Sequence, residues 1–92
     1  MNTKVNHTAE EELKNRIMKI EKQVKIGQKC HHYKSPNTIY TIVDIGIMEE
    51  TEQVAIIYKT EAGVTWIRTA SNFLEEVIVD DKKVPRFTLL PR

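Results

Sequence analysis

Apolar residues near the start of the chain recur at helical spacing. Successive members of the set lie four, three and four residues apart, which places them on one narrow stripe of a helix. Thr8 and Glu11 have the spacing of a capping box, and Gly27 lies where a helix commonly ends. The pattern therefore predicts an amphipathic helix from Thr8 to about Lys25. The stripe consists of Leu13, Ile17, Ile20 and Val24.

This apolar stripe needs a partner surface, and two interpretations are open. In one, the helix lies over an open end or edge of the sheet that follows it. In the other, the stripe pairs with the same helix in a second subunit, and the chain forms a homo-oligomer. The stripe spans about two heptads, and isolated helices that short are marginally stable.

From position 27 onward the apolar period changes from helical to two, and β-branched and aromatic residues become frequent. Residues 71–74 form a helical turn before the last strands. About five short strands can bury a core by curling into a barrel, which also removes exposed sheet edges. We therefore predict a mainly β fold: a small SH3-like barrel over residues 27–92, preceded by a tail and amphipathic helix over residues 1–26. The predicted strands cover residues 29–33, 38–45, 54–59, 64–69 and 77–79, and a last segment ends at Phe87.

Composition narrows the class of protein. With 92 residues and 40% hydrophobic content, the chain has the size and apolar fraction of one small ordered domain, which excludes a two-domain enzyme. Its apolar runs fall short of the ~18–20 residues of a membrane span, and its polar start has no signal-peptide core. One cysteine excludes an intrachain disulfide. We expect a cytoplasmic protein without membrane contact, cofactor or metal.

Charge is unevenly distributed along the chain. Residues 1–29 carry seven basic and four acidic side chains, whereas residues 30–92 carry seven basic and nine acidic ones. Nucleic-acid-binding domains usually have a basic excess, because phosphate neutralisation dominates their affinity. The acidic balance of residues 30–92 therefore disfavours a nucleic-acid partner, although it leaves room for a local basic pocket.

Cys30, His31 and His32 form the one cluster of thiol and imidazole groups in the sequence. Neighbours in a strand point to opposite faces, so Cys30 and His32 share one side and His31 takes the other. A catalytic cysteine needs a histidine within hydrogen-bond reach and a third group that orients it. Nothing in the sequence guarantees that arrangement, and we expect an ordinary buried or half-buried Cys30 and no catalytic residue.

A set of aromatic and basic residues is more informative. Trp66 and Arg68 are two residues apart, so the period of two places both on one face of a strand. An indole ring offers a flat stacking surface, and a guanidinium offers a rigid fork for phosphate or carboxylate. The alternative is a Trp66 that belongs to the core and an Arg68 that pairs with a glutamate such as Glu75. The other members are His32, Tyr33, Lys34, Tyr58, Arg86 and Phe87.

The residues from about Ile26 to Leu89 contain short blocks in the order typical of the small bacterial and phage family called domain of unknown function 1653, and they resemble that family. The resemblance implies an SH3-type barrel and little about function. The shared blocks are His32-Tyr33-Lys34, Ile39-Tyr40-Thr41-Ile42, Ile56-Ile57-Tyr58, Trp66-Ile67-Arg68, Phe73-Leu74-Glu75 and Val84-Pro85-Arg86-Phe87.

Three positions depart from the family pattern. His31 replaces a common arginine, Met48 replaces the histidine of a His-x-Glu-Thr block, and Thr69 replaces a proline. Glu50 and Thr51 of that block remain. If the replaced arginine and histidine contact a ligand in other members, this chain binds a different ligand or binds it less tightly.

The first functional hypothesis is a non-catalytic module for a small anionic, nucleotide-like ligand. In a phage, such a module would sequester a host signalling nucleotide. The alternatives are an SH3-like module that binds a protein or nucleic acid, and a small hydrolase that uses His32 with Glu50. The candidate ligand-binding residues are His32, Tyr33, Lys34, Glu50, Thr51, Tyr58, Trp66, Arg68, Arg86 and Phe87.

Overall fold

An N-terminal helix, an antiparallel sheet and a separate β-hairpin make up the computed structural model, which describes residues 8–91. The mainly β fold class with its N-terminal helix is confirmed. A four-residue helix lies where the sequence predicts a helical turn. The elements are α1 (Glu10–Glu21), β1 (Lys29–His32), β2 (Ser35–Ile47), β3 (Val54–Thr60), β4 (Thr65–Thr69), α2 (Ala70–Phe73), β5 (Glu76–Val79), β6 (Lys82–Pro85) and β7 (Phe87–Leu89).

Five strands form the main sheet in the order β4-β3-β2-β1-β7, and every pair in it is antiparallel. β5 and β6 pair with each other in a second, two-stranded sheet. In residues 8–91 the strands thus form an open sheet and a hairpin, and no pairing closes them into a ring. β2 begins three residues before its predicted start, because His32 pairs with Ser35 directly across the β1–β2 turn.

The core lies on one face of the main sheet, under α2 and the segment that follows α1. Directly paired residues share a face, so the pairs Cys30–Tyr40 and Ile42–Tyr58 place four side chains on the face that carries the core. Phe73 of α2 stacks on Phe87 of β7 with ring centroids 4.0 Å apart. The buried hydrophobic residues are Val24, Cys30, Ile42, Ile45, Ala55, Ile56, Tyr58, Ala70, Phe73 and Phe87.

The ends of α1 differ from the prediction. Ala9 is the N-cap and no side chain caps the helix, so the predicted cap at Thr8 is wrong. The Thr8 hydroxyl instead donates to the carboxylate of Glu52, a tertiary contact that local spacing does not reveal. The helix ends at Glu21, and Gly27 lies in the turn before β1, where its positive φ of 88° suits a residue without a side chain.

The apolar stripe of α1 meets the sheet through its C-terminal part. Val24, beyond the helix end, is fully buried in the core, and Ile20 packs against that core. Leu13 and Ile17 are half-buried. The C-terminal half of the stripe, Ile20 and Val24, therefore packs against the sheet. Pairing of the helix with a second subunit stays a prediction. Among residues 8–91, no helix combines the length and apolar content needed to cross a bilayer.

Candidate functional site

Strand register brings the predicted aromatic and basic residues to one end of the core face. Trp66 of β4 pairs with Tyr58 of β3, and Arg68 pairs with the buried Ile56 two positions further along. On the other side of the sheet, His32 of β1 pairs with Phe87 of β7. Since paired residues share a face, these side chains converge although they lie up to 55 positions apart in sequence.

The result is a cleft of about 240 Å³, which we call the aromatic cleft. Its inner wall belongs to the core, since Phe87 is 6% exposed and Tyr58 is buried. Its rim is open, since Trp66 is 51% exposed. Trp66 is therefore not a core residue, contrary to the alternative that the sequence left open. The lining residues are His32, Lys34, Ser35, Tyr40, Tyr58, Trp66, Arg68 and Phe87.

Arg68 is half-buried in this cleft and is held by neutral groups. Its Nε donates to the Tyr58 hydroxyl over 3.2 Å, and its Nη1 donates to the Asn72 side-chain carbonyl. Its guanidinium lies 5.3 Å from the centroid of the Phe87 ring. Within residues 8–91, no carboxylate pairs with Arg68. Partly buried charge without a counterion is costly, so this site favours an anion.

Asn72 of α2 holds two arginines at once. Its side-chain oxygen accepts from Arg68, and its backbone carbonyl accepts from Nε of Arg86 over 3.0 Å. Asn72 is itself fixed by Thr69, the N-cap of α2, whose side chain accepts its backbone N–H. Arg86 forms an ion pair of 2.8 Å with Glu75. Glu75, which the sequence suggested as a partner of Arg68, therefore pairs with Arg86.

The pKa of His32 reflects the burial and the positive charges of the cleft. Its Nδ1 accepts the backbone N–H of Lys34 over 3.1 Å, which places the proton of the neutral ring on Nε2. Burial lowers the pKa of His32 below its ordinary value of 6.5, and the positive charges of Arg68, Arg86 and Lys34 lower the pKa further. The imidazole is therefore neutral at pH 7, and the charge of the cleft comes from its arginine and lysine side chains.

The remaining predicted site residues lie outside the aromatic cleft. Tyr33 flanks it, with its ring centroid 4.6 Å from that of His32. Arg86 does not line the cleft, but it donates to the backbone carbonyl of Asn72, whose side chain accepts from Arg68. Glu50 is in the exposed turn between β2 and β3, and Thr51 lines a separate groove beside α1. Glu50 does not line the cleft that contains His32, so the structure does not bring together there the two residues that the hydrolase hypothesis needs.

Two of the three positions that depart from the family pattern, Met48 and His31, also lie outside the cleft. Met48 follows the end of β2 and is 38% exposed, away from the cleft. His31 occupies the face of β1 opposite to Cys30, and its Nδ1 is buried without a hydrogen-bond partner among the described residues. Neither substitution alters the lining of the cleft.

Cys30 is fully buried, as the sequence predicted. Burial raises the pKa of its thiol to about 11, so the nucleophilic thiolate is scarce near neutral pH. In the described residues, no group of three or more His, Cys, Asp or Glu side chains is placed to hold a metal ion.

Sequence reasoning missed Asn72, Tyr40 and Ser35 as parts of the site. Tyr40 was detectable, because the period of two places it on the same strand face as the apolar Ile42. Asn72 gave no such signal. Its role depends on two arginines from β4 and the segment after β6, which only the packing of α2 brings together.

One family matches the chain. The model of the family described as "Protein of unknown function (DUF1653)" matches residues 28–89, which is more than half of the chain and includes every residue of the aromatic cleft. α1 lies outside the matched part. No curated protein and no solved structure matches the chain.

Proposed function

The chain belongs to the DUF1653 family, and we propose that it is a non-catalytic module that binds a small anionic, nucleotide-like ligand in the aromatic cleft. The observation that carries the proposal is the half-buried Arg68, which has no carboxylate partner in residues 8–91 and lies beside the exposed indole of Trp66. Such a module acts by holding its ligand, as a phage or bacterial protein that sequesters a signalling nucleotide would.

The charge of Arg68 supports an anionic ligand. Both hydrogen-bond acceptors of its guanidinium in residues 8–91 are neutral, so no charge in that part of the chain compensates its own. Among residues 8–91, those that line the cleft include neither Asp nor Glu. An anion that enters the cleft would gain charge-assisted hydrogen bonds, which are about twice as strong as neutral ones.

The position of Trp66 supports a ligand with a planar ring. Its indole is half-exposed at the rim, so a ring can reach it without displacing core side chains. Stacking of a base on an aromatic side chain contributes about 1–3 kcal/mol. The same strand carries the stacking surface and the cation two residues apart, which suits a ligand that joins a ring to an anion.

The test uses the intrinsic fluorescence of Trp66, the only tryptophan of the chain. We expect nucleotides to change its emission and to raise the melting temperature, with stabilisation of about 2.7 kcal/mol at a hundredfold excess over Kd. Arg68→Met should weaken binding about tenfold to hundredfold, because it removes a charge-assisted contact.

Arg16→Met is the matched control. Arg16 lies on α1, where it pairs with Glu12 over 2.8 Å, so its removal should leave the affinity unchanged. If no nucleotide changes the fluorescence or the melting temperature, the proposed function is wrong.

A second candidate, a protein-interaction module, is favoured by the edge strand β4. This strand pairs only with β3 in the described sheet, and its Ile67 is 61% exposed on the face opposite to Trp66. An extended segment of a partner would add to such an edge by strand pairing. Ile67→Lys should abolish this interaction and leave the nucleotide titration of Trp66 unchanged.

A further inference from the structure

The geometry points to a specific ligand class: we infer that the aromatic cleft selects a phosphate monoester of a planar ring, with one phosphate group. This inference rests on the proposed binding function and deepens it. It is carried by the balance of charges around the cleft, by the hydrogen-bond donors that remain available there, and by the volume of the cleft.

Three cations surround the cleft, and one of them is already compensated. Arg86 is neutralised by Glu75 at 2.8 Å. Lys34 is exposed at the rim with its Nζ 5.8 Å from the centroid of the Tyr33 ring, and the partners of Arg68 within residues 8–91 are neutral. Two positive charges remain, and a phosphate monoester carries about −1.5 to −2 at pH 7. A phosphodiester has one negative charge too few, and a diphosphate has more charge than these cations balance.

The donors that remain suit a phosphate group. Tyr58 accepts from Nε of Arg68 and Asn72 accepts one N–H of Nη1, so the Nε–Nη2 edge, one of the two edges that a carboxylate binds in bidentate fashion, is no longer free. Nη2 of Arg68 remains, and Lys34 and Ser35 line the same cleft. Three separate donor groups match the three terminal oxygens of a phosphate monoester.

The volume favours a small ligand. Sites for drug-sized molecules commonly measure roughly 300–1,000 Å³, whereas the open aromatic cleft measures about 240 Å³. One ring at Trp66 and one phosphate near Arg68 use the two ends of this space. A second phosphate or a second nucleotide would extend into solvent and gain no further contact.

The experiment titrates the full chain with four probes and follows Trp66 fluorescence. The probes are adenosine, adenosine 5′-monophosphate, adenosine 5′-diphosphate and cyclic adenosine 3′,5′-monophosphate, with the guanosine series as replicate. We expect the monophosphate to bind about tenfold or more tightly than the nucleoside and the cyclic diester, and at least as tightly as the diphosphate.

Glu75→Gln sharpens the test, because it removes the counterion of Arg86 beside the cleft. The freed charge should improve diphosphate affinity severalfold more than monophosphate affinity. Glu76→Gln is the matched control, since Glu76 is an exposed neighbour that forms no ion pair in the described part of the chain. It should change neither affinity.

The outcomes separate the two proposals. If no probe binds, the proposed function itself fails. If the nucleoside or the cyclic diester binds as tightly as the monophosphate, or the diphosphate binds more tightly to the unmodified chain, binding stands and the monoester inference is overturned. These comparisons use the unmodified protein, so they do not depend on the folding of any variant.

Discussion

Two concavities of the molecule, the groove beside α1 and the aromatic cleft, differ in how their arginines are compensated. The groove between α1 and the sheet measures about 420 Å³, and the aromatic cleft about 240 Å³. In the groove, Arg16 pairs with Glu12 and also donates to the backbone carbonyl of Glu52. In the cleft, the partners of Arg68 among residues 8–91 are all neutral. The proposed anion would therefore meet an unpaired arginine in the aromatic cleft, whereas Arg16 in the groove already has a carboxylate.

This difference has a structural origin. The groove runs beside α1, whose Ile20, with the Val24 that follows the helix, packs against the core. The cleft is built by strand register and by Asn72, which holds Arg68 through its side chain and Arg86 through its backbone carbonyl. The orientation and charge of Arg68, more than the volume of the cleft, therefore support the proposed binding site.

The largest effect is expected from Phe73, which supports the inner wall of the cleft. Phe73→Ala removes a fully buried ring stacked on Phe87 and should lower the free energy of unfolding by about 3–5 kcal/mol. Ile20→Ala, on the wall of the groove, should cost less because Ile20 is only half-buried. Urea denaturation measures both. Equal losses would show that the core supports the two concavities alike.

A smaller effect, on affinity alone, is expected from Asn72. Asn72→Ala frees Arg68, which its side-chain oxygen holds, and should weaken nucleotide binding about tenfold, while the backbone carbonyl still accepts from Arg86. Asn72→Asp instead neutralises Arg68 and should weaken binding further. Gln53→Glu makes the same amide-to-acid change in the groove and should have no effect. Trp66 fluorescence titrations compare the three. Tighter binding by Asn72→Asp would contradict an anionic ligand.

The next effect is a pH dependence that only the cleft should show. Burial and the charges of Arg68, Arg86 and Lys34 lower the pKa of His32 in the folded state, so the unfolded chain binds the proton more readily. His32 should therefore contribute full stability above pH 6.5 and lose it as the pH falls through its lowered pKa. His32→Asn, whose side-chain oxygen can still accept the Lys34 N–H, should flatten this part of the profile.

Melting temperatures between pH 7.5 and pH 5 provide the measurement. His31→Asn is the control, because His31 lies on the other face of β1 and its removal should preserve the slope due to His32. A profile that His32→Asn leaves unchanged would show that the cleft cations do not act on this ring.

The smallest effect is expected at Cys30, in the core beneath the cleft. Its burial and a pKa of about 11 leave almost no accessible thiolate, so a thiol reagent at pH 8 should not label the native protein. Labelling should become complete in denaturant, which serves as the positive control. Rapid labelling of the native chain would reveal an open path from the cleft to the core.

Much of the fold and part of the site were predictable from local pattern. The period of two placed Trp66 and Arg68 on one strand face, and the structure shows both in one cleft. Glu50 and Thr51 were included because they match a block of the family pattern, and the structure places them in the turn between β2 and β3, outside the cleft. Thr8 failed as a cap because Glu52, 44 residues away, accepts its hydroxyl.

The sequence by itself determined which residues form strands and which side chains share a face, since alternation is a property of the backbone of each strand. The tertiary structure decided which part of that face is covered and which part is open. Phe73 from α2 packs against the rings of Tyr58 and Phe87, whereas Trp66 stays half-exposed. Only long-range packing could pair Glu75 with Arg86 and leave Arg68 without a carboxylate partner in residues 8–91, because ion pairing depends on distances between elements.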